Sequence, residues 1–373
     1  MSEPRKLLFL VTEDYYFVSH RLALATAAKA AGYDVCVATR VRECGDTIRE
    51  AGIRVIPFEN VRSGLNPLIE LATLWRLVRV YRLERPDILH HVAMKPVLYG
   101  TVAGRLAGRP AIINAVAGMG WLFTSKTGLA RWLVPAVRRG LRHVLTNGIA
   151  IVQNPDDLRL VAQLGVPKEG IRLVPGSGVD LRRFSPQPPP AGVAVVILPA
   201  RLLWDKGVGE FATAARMLRN RGIAARFLLA GEPDPLNPAS IPLSTVAGWV
   251  EEGILEHLGW VPDMAQLLGR CHIVCLPSFR EGLPKALIEA AAAGRPIVTT
   301  DVPGCREVVS DGDNGCLVPA RNAEALADAL ARLIGDPEMQ RRMGARSRIR
   351  AEQRFGLEAV VAQTLALYRE VLA

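Results

Sequence analysis

No run of apolar residues in the 373-residue sequence reaches the roughly 20 that a membrane-spanning helix needs, and no basic-then-apolar leader pattern opens it. The expectation is a cytoplasmic protein. The six cysteines (Cys36, Cys44, Cys271, Cys275, Cys305 and Cys316) include no Cys-x2-Cys pair and have no histidine at ligand spacing. That argues against a zinc site or a disulfide framework and for reduced thiols, mostly buried. The segment Thr12–Arg21, which follows the first apolar run, contains no glycine. A dinucleotide-binding fingerprint needs its glycines there, so a dehydrogenase of that type is excluded. Acidic residues are scarce in one half only. Residues 1–190 carry a net +11 and residues 191–373 a net −1, within a total of +10. Such asymmetry points to a polyanion on the first half, either anionic lipid or nucleic acid. No recognisable nucleic-acid module is present, so nucleic acid is not expected as a partner.

What the sequence does contain is an alternation of short apolar runs and helical patterns. Lys6–Val11, Asp34–Thr39, 53–58, Ile88–His91, Ala111–Asn114 and Gly148–Gln153 read as buried parallel strands. A helix from about His20 places Leu22, Ala25, Ala28 and Ala31 on one side and closes at Gly32. This pattern predicts a doubly wound parallel sheet, whose ligands bind beyond the carboxyl ends of the strands. Ser185–Ala191 is proline-rich and reads as a stiff linker. The pattern then restarts with Val193–Pro199, Phe227–Ala230 and Cys271–Pro277. It becomes mostly helical from Ala323, ending in an amphipathic helix over Leu357–Leu372.

The most informative stretch is Ser278–Gly294, Ser-Phe-Arg-Glu-Gly-Leu-Pro-Lys-Ala-Leu-Ile-Glu-Ala-Ala-Ala-Ala-Gly. Pro284 suits the first position of a helix and Gly294 its C-terminal cap. Gly282 allows close approach of the backbone, and first-turn amides point outward at an anion. Glu281 and Glu289 can reach one pocket from different depths, with Lys285 adding positive charge. The plainer alternative is a capped core helix with a surface glutamate. Upstream, Arg201 and Lys206 sit five residues apart at a strand-to-helix turn and can converge on one diphosphate, unless they form surface ion pairs with Asp205 or Glu210.

A Glu-x7-Glu pair with Gly-Leu-Pro after the first glutamate, followed by Gly-Arg-Pro-Ile-Val-Thr-Thr, resembles the donor-sugar motif of retaining glycosyltransferases of family 4, also called group 1. Val174–Phe184, with its Gly-Val-Asp turn, and the Arg201/Lys206 pair are further marks of that resemblance. Arg62–Pro67, Ala200–Glu210 and Pro303–Glu307 carry a narrower one, to bacterial enzymes that extend an undecaprenyl-diphosphate-linked saccharide. The resemblance implies an α/β GT-B fold, with two Rossmann-like doubly wound parallel-sheet domains facing across a cleft and the last helix returning to the first domain. The implied division is 1–184 for the acceptor-binding domain, 185–191 for the linker, 192–356 for the nucleotide-sugar domain and 357–373 for the returning helix. Three features depart from the family. The first loop lacks its double glycine, Asn114–Trp121 replaces a histidine-bearing segment, and His272 stands where aspartate is common.

The resemblance implies transfer of a sugar, an N-acetylhexosamine or related hexose, from a UDP-sugar to a lipid-linked saccharide. The diphosphate would lie on Arg201, Lys206 and the backbone amides around Gly282 to Lys285, a stretch that includes Leu283 and Pro284. Glu281 would hold sugar hydroxyls, Glu289 the ribose, and Gly231, Glu232, Trp260 and Val261 would border the nucleotide. Acceptor-side candidates are His20, Arg21, Lys95, Asn114, Gly118 and Gly120. No cofactor and no metal are expected: Asp311 and Asp313 lie in Ser-Asp-Gly-Asp-Asn-Gly, which is turn chemistry. Asn66–Arg85 (with Arg76, Arg79, Arg82, Trp75 and Tyr81) and Leu129–His143 (with Arg131, Arg138, Arg139, Arg142 and Trp132) are basic and amphipathic, which fits the inner face of an anionic membrane. Ordinary sheet-packing helices with a solvated arginine face are the alternative. A nucleotide-sugar epimerase and a non-catalytic nucleotide-sugar or membrane scaffold remain as rival functions.

Overall fold

The computed structural model describes residues 4–59, 67–108, 111–116 and 128–373, with backbone alone for 67 and 128–136. Residues 62–66, Gly118 and Gly120, and the side chains of Arg131 and Trp132, lie outside the described set. The chain divides into two compact units, residues 1–177 with 359–373 and residues 178–358.

The first unit is built on a seven-stranded sheet. Its strands are β1 (Lys6–Glu13), β2 (Asp34–Arg40), β3 (Arg54–Pro57), β4 (Ile88–Val92), β5 (Ala111–Ala115), β6 (Ile149–Val152) and β7 (Ile171–Leu173), in the order β3-β2-β1-β4-β5-β6-β7. Neighbouring strands all pair parallel. Successive side chains of a strand point to opposite faces. Leu7, Phe9 and Val11 therefore enter one core, and Leu8 and Leu10 another. The first core is completed by Val360, Leu367 and Tyr368 of the last helix, Leu357–Glu370.

The segment after β1 is not a loop. Asp14–His20 is helical. Asp14 is fully buried and its carboxylate accepts from the backbone amides of Tyr15, Arg42 and Cys44, at 2.8, 2.6 and 3.0 Å. A carboxylate in the first helical turn opposes the helix dipole favourably, and here it also ties the helix start to the end of β2.

The second unit restarts with β8 (Ala194–Pro199), β9 (Ala225–Ala230), β10 (Glu256–Gly259), β11 (Ile273–Leu276), β12 (Ile297–Thr300) and β13 (Gly315–Val318), ordered β10-β9-β8-β11-β12-β13. These strands also pair parallel. The unit begins earlier than the proline-rich stretch suggests. Val179 and Phe184 are buried in its core, and Val179 exchanges backbone hydrogen bonds with Phe355 and Leu357. Residues 178–184, expected with the first domain, thus pack with the second, because their apolar side chains find their partners there. In this sheet successive connections diverge on either side of the β8/β11 pair, so the loops after β8 and β11 open at a topological switch point.

Candidate active site

The loop after β8, from Ala200 to Gly207, and the loop after β11, from Pro277 to Pro284, meet at that switch point. Gly207 makes the meeting possible. Its φ is +71°, and a Cβ there would stand 2.1 Å from the carbonyl oxygen of Pro277. Phe279 N donates to Asp205 O at 2.9 Å across the same contact. On the far side, Gly304 (φ +82°) lies so close that its Cβ would be 2.5 Å from Gly282 O. The β11 loop is thus clamped by backbone on both flanks.

This packing brings Lys206 and Glu281 together. Lys206 Nζ donates to Glu281 Oε1 at 2.5 Å, and Ser278 Oγ donates to the same oxygen at 2.7 Å. Arg201, at the start of the β8 loop, pairs with Asp234 of the β9 loop at 2.5 Å, not with Asp205 or Glu210. Arg201 is nearly half exposed. Water screens such a pair to about 0–1 kcal/mol, so an incoming anion can exchange for Asp234 at little expense.

The helix that follows runs from Lys285 to Ala292, with Pro284 as its N-cap instead of its first residue. Pro284 has an extended ψ of 113°, and its carbonyl accepts from the amides of Leu287 and Ile288. The positive end of this helix therefore faces the same side of the sheet as Lys206. Glu289 is buried one turn in, with Lys285 Nζ 3.3 Å from Oε1. Burial pushes the Glu289 carboxyl above its ordinary pKa, and Lys285 and Arg183 oppose the rise. On the β9 side, Gly231 N donates to Gly259 O at 2.8 Å, and the His257 ring bonds Gly231 O at 2.9 Å. Glu232 is exposed, Trp260 is 69% exposed, and Val261 is half-buried. Asp311 and Asp313 are occupied in the turn: Asp311 accepts from Leu317 N and Asp313 pairs with Arg346.

Each first-unit candidate among the described residues has its own partners. His20 ends the helix Asp14–His20, stacked on Tyr16 at 4.1 Å and bonded to Ser19 Oγ. Arg21 is buried; burial pushes the His90 imidazole down and the Arg21 charge adds to that fall, while burial pushes the Tyr368 hydroxyl up against the opposing Arg21 charge. Lys95 is held by Glu70 at 2.9 Å. Burial raises the Glu70 carboxyl, but hydrogen bonds from Lys95 and Tyr99 outweigh it and hold it below its usual pKa. Asn114 is fully buried; its Oδ1 bonds the His91 ring and accepts from Thr101, so in this structure it supports the strand ends from within.

The basic helix occupies Pro67–Glu84. Leu68, Leu71 and Trp75 are 77%, 52% and 56% exposed, and Arg76, Arg79 and Arg82 continue outward beside them. Tyr81, read from sequence as an interface aromatic, is instead fully buried with its hydroxyl 3.1 Å from His91 Nε2. In the helix Gly128–Thr146, Arg138, Arg139 and Arg142 are exposed while Leu141, Val144 and Leu145 are buried.

Sequence reasoning passed over Asp234, Ser278, Thr300 and Arg183. Asp234 could have been found as the acid of Gly-Glu-Pro-Asp-Pro and Ser278 as a member of the loop itself; Thr300 and Arg183 carry no signal of their own, because only the fold brings them to the loops.

The description "Glycosyl transferases group 1" matches residues 194–336, and "Glycosyl transferase 4-like" matches residues 6–149. Residues 194–336 thus belong to the group 1 glycosyl transferases, and the two matches together make the chain a glycosyl transferase. It is 28% identical over 347 residues to the N,N'-diacetylbacillosaminyl-diphospho-undecaprenol alpha-1,3-N-acetylgalactosaminyltransferase of Campylobacter jejuni, covering 87% of this transferase and 88% of that one. It is 25% identical to the UDP-Gal:alpha-D-GlcNAc-diphosphoundecaprenol alpha-1,3-galactosyltransferase of Escherichia coli, over 72% and 71% of the two chains. Among solved structures, the sucrose-phosphate synthase of Thermosynechococcus elongatus superposes with a TM-score of 0.78 at 22% identity, covering 99% of both chains. Anabaena Alr3699/HepE in complex with UDP and glucose gives 0.76 at 18%, covering 98% of this chain and all of that one. At these identities the structures speak to fold, and the fold of this glycosyl transferase is GT-B.

Proposed function

We propose that this glycosyl transferase moves a sugar, an N-acetylhexosamine or related hexose, from a UDP-sugar to an undecaprenyl-diphosphate-linked saccharide, with retention of anomeric configuration. The observation that carries the reading is the meeting of Lys206 and Glu281 at the switch point of the second sheet, beside the positive end of the helix Lys285–Ala292. A cation, a helix N-terminus and a sugar-facing carboxylate are what a nucleotide-diphosphate sugar requires. The names of the Campylobacter and Escherichia relatives, both acting on undecaprenol-linked diphosphates, supply the acceptor class.

In this reading Arg201, Lys206 and the helix end take up the negative charge that grows on the departing UDP, without a metal. Glu289 accepts from the ribose and Glu281 from the transferred sugar. The bond from the anomeric carbon to the β-phosphate oxygen breaks, the bond to the acceptor hydroxyl forms on the same face, and the acceptor proton passes to the departing phosphate. The exposed Leu68, Leu71 and Trp75 followed by Arg76, Arg79 and Arg82 fit an anionic cytoplasmic leaflet, where each arginine adds about 1 kcal/mol. The protein would then work as a peripheral enzyme on the inner face of the membrane.

The test is UDP release from a panel of UDP-sugars in EDTA, with and without an undecaprenyl-diphosphate saccharide in anionic vesicles. Release that requires the lipid acceptor and survives EDTA supports the reading. Turnover of UDP-sugar alone would replace it with an epimerase, and dependence on a water-soluble acceptor would remove the membrane part.

A further inference from the structure

Glu281 presents its two carboxylate oxygens unequally. Oε1 receives both protein donors, Lys206 Nζ at 2.5 Å and Ser278 Oγ at 2.7 Å, and Oε2 receives none among the described residues. Ser278 is fully buried and so cannot itself touch a substrate. Its own place is fixed from the next strand. Thr300 Oγ1, at the end of β12, donates to Ser278 O, and Thr299 Oγ1 donates to Leu276 O at 2.6 Å. A chain of hydrogen bonds thus runs from β12 through Ser278 to one oxygen of Glu281. Two donors on one oxygen set the rotation of the carboxylate, and the second oxygen is left with its lone pairs open to a hydroxyl.

From this geometry we infer that Ser278 is a positioning residue for recognition of the transferred sugar: it holds Glu281 with Oε2 turned to a donor-sugar hydroxyl and does nothing for the nucleotide. Lys206 cannot do this alone, because its ammonium is the group that the donor diphosphate draws away. When the diphosphate arrives, Ser278 is the anchor that remains on Oε1. The inference rests on the donor reading above and deepens it. It predicts that the sugar's share of donor affinity passes through a serine that the sugar never meets.

The experiment compares binding of UDP with binding of the intact UDP-sugar, by calorimetry, in wild type, Ser278→Ala and Ser278→Thr. A hydrogen bond to a charged group commonly changes affinity by about tenfold or more. Ser278→Ala should therefore weaken UDP-sugar binding by about tenfold and raise KM correspondingly, leaving UDP affinity within about twofold of wild type, while Ser278→Thr restores the preference. If Ser278→Ala does not fold, Ser278→Cys keeps the shape and weakens the donor, and the same selective loss is expected. Equal losses for UDP and UDP-sugar, or no loss for either, would overturn the role of Ser278 with the donor reading intact. Wild-type protein that binds neither UDP nor any UDP-sugar would overturn the donor reading, and this inference with it.

Discussion

Replacing Gly207 by alanine tests the loop contact on which the candidate site depends. The new Cβ would start 2.1 Å from Pro277 O, and ordinary contact begins near 3.4 Å, so the β8 and β11 loops must separate. The obstacle is a backbone carbonyl, which cannot swing aside as a flexible side chain would. The left-handed conformation itself costs an alanine about 1–2 kcal/mol. Loss of the Phe279 N to Asp205 O bond removes about 1 kcal/mol more. Gly207→Ala should therefore lose about 2–3 kcal/mol of stability in urea unfolding, and a shift of about 1 Å between Lys206 and Glu281 should lower donor turnover about 100-fold. Gly222→Ala is the control: its φ is +73° with nothing within 4 Å, so it carries the conformational strain without the collision. It should lose only the first 1–2 kcal/mol and keep normal turnover. If Gly207→Ala is no worse than Gly222→Ala in either assay, the loop contact does not hold the site together.

Three further outcomes are expected. Arg201→Ala and Lys206→Ala should each reduce turnover about 100-fold or more, as loss of an oxyanion partner does, with little change in melting temperature; near-normal rates in both would remove them from the diphosphate site. Glu289 has its folded pKa raised above 4.5 by burial, so its ionisation opposes folding once the pH exceeds that range. Glu289→Gln should be more stable than wild type at pH 7–8, with the gap closing as the pH falls through the carboxylate range; a gap independent of pH would contradict the assignment. His91 is pushed down to about 4 by burial, against the hydrogen bond to Asn114. The unfolded imidazole takes up its proton from pH 6.5 downward while the folded one does not, so His91 should lower stability across that window by roughly 3 kcal/mol by pH 4; His90, also pushed down by burial, adds to the fall, so His91→Gln should reduce the slope in acid unfolding curves without abolishing it.

Which parts were readable from the sequence follows from how local each signal is. Lys6–Val11 and Asp34–Thr39 announce their strands because a buried parallel strand is apolar on both faces, and the structure extends them by only one or two residues. Pro284 and Gly294 bound their helix to within a residue for the same reason: each acts through its own φ. Thr12–Arg21 was misread as a loop because its helix is started by the side chain of Asp14 reaching the amides of Arg42 and Cys44, some 30 residues away. Lys95 and Asn114 could be named as polar candidates, but not their partners Glu70, His91 and Thr101, which only the fold brings beside them. Glu281 could be named from its motif, but not the inequality of its two oxygens, which depends on Ser278 and Lys206 arriving from separate loops.

The last helix has a consequence for the order in which the protein is made. Tyr368 is fully buried against the first sheet, its hydroxyl 2.6 Å from His90 Nδ1, and Val360 and Leu367 close the same core over Phe9. Those residues leave the ribosome only after all of residues 178–358 have been synthesised. At about 5–20 residues per second the first sheet waits roughly 10–40 s with one apolar face and the His90 imidazole uncovered. During that interval the nascent first unit is an unfinished, adhesive surface, a client for whatever binds exposed sheet faces near the ribosome. A first unit without residues 359–373 keeps that apolar face uncovered.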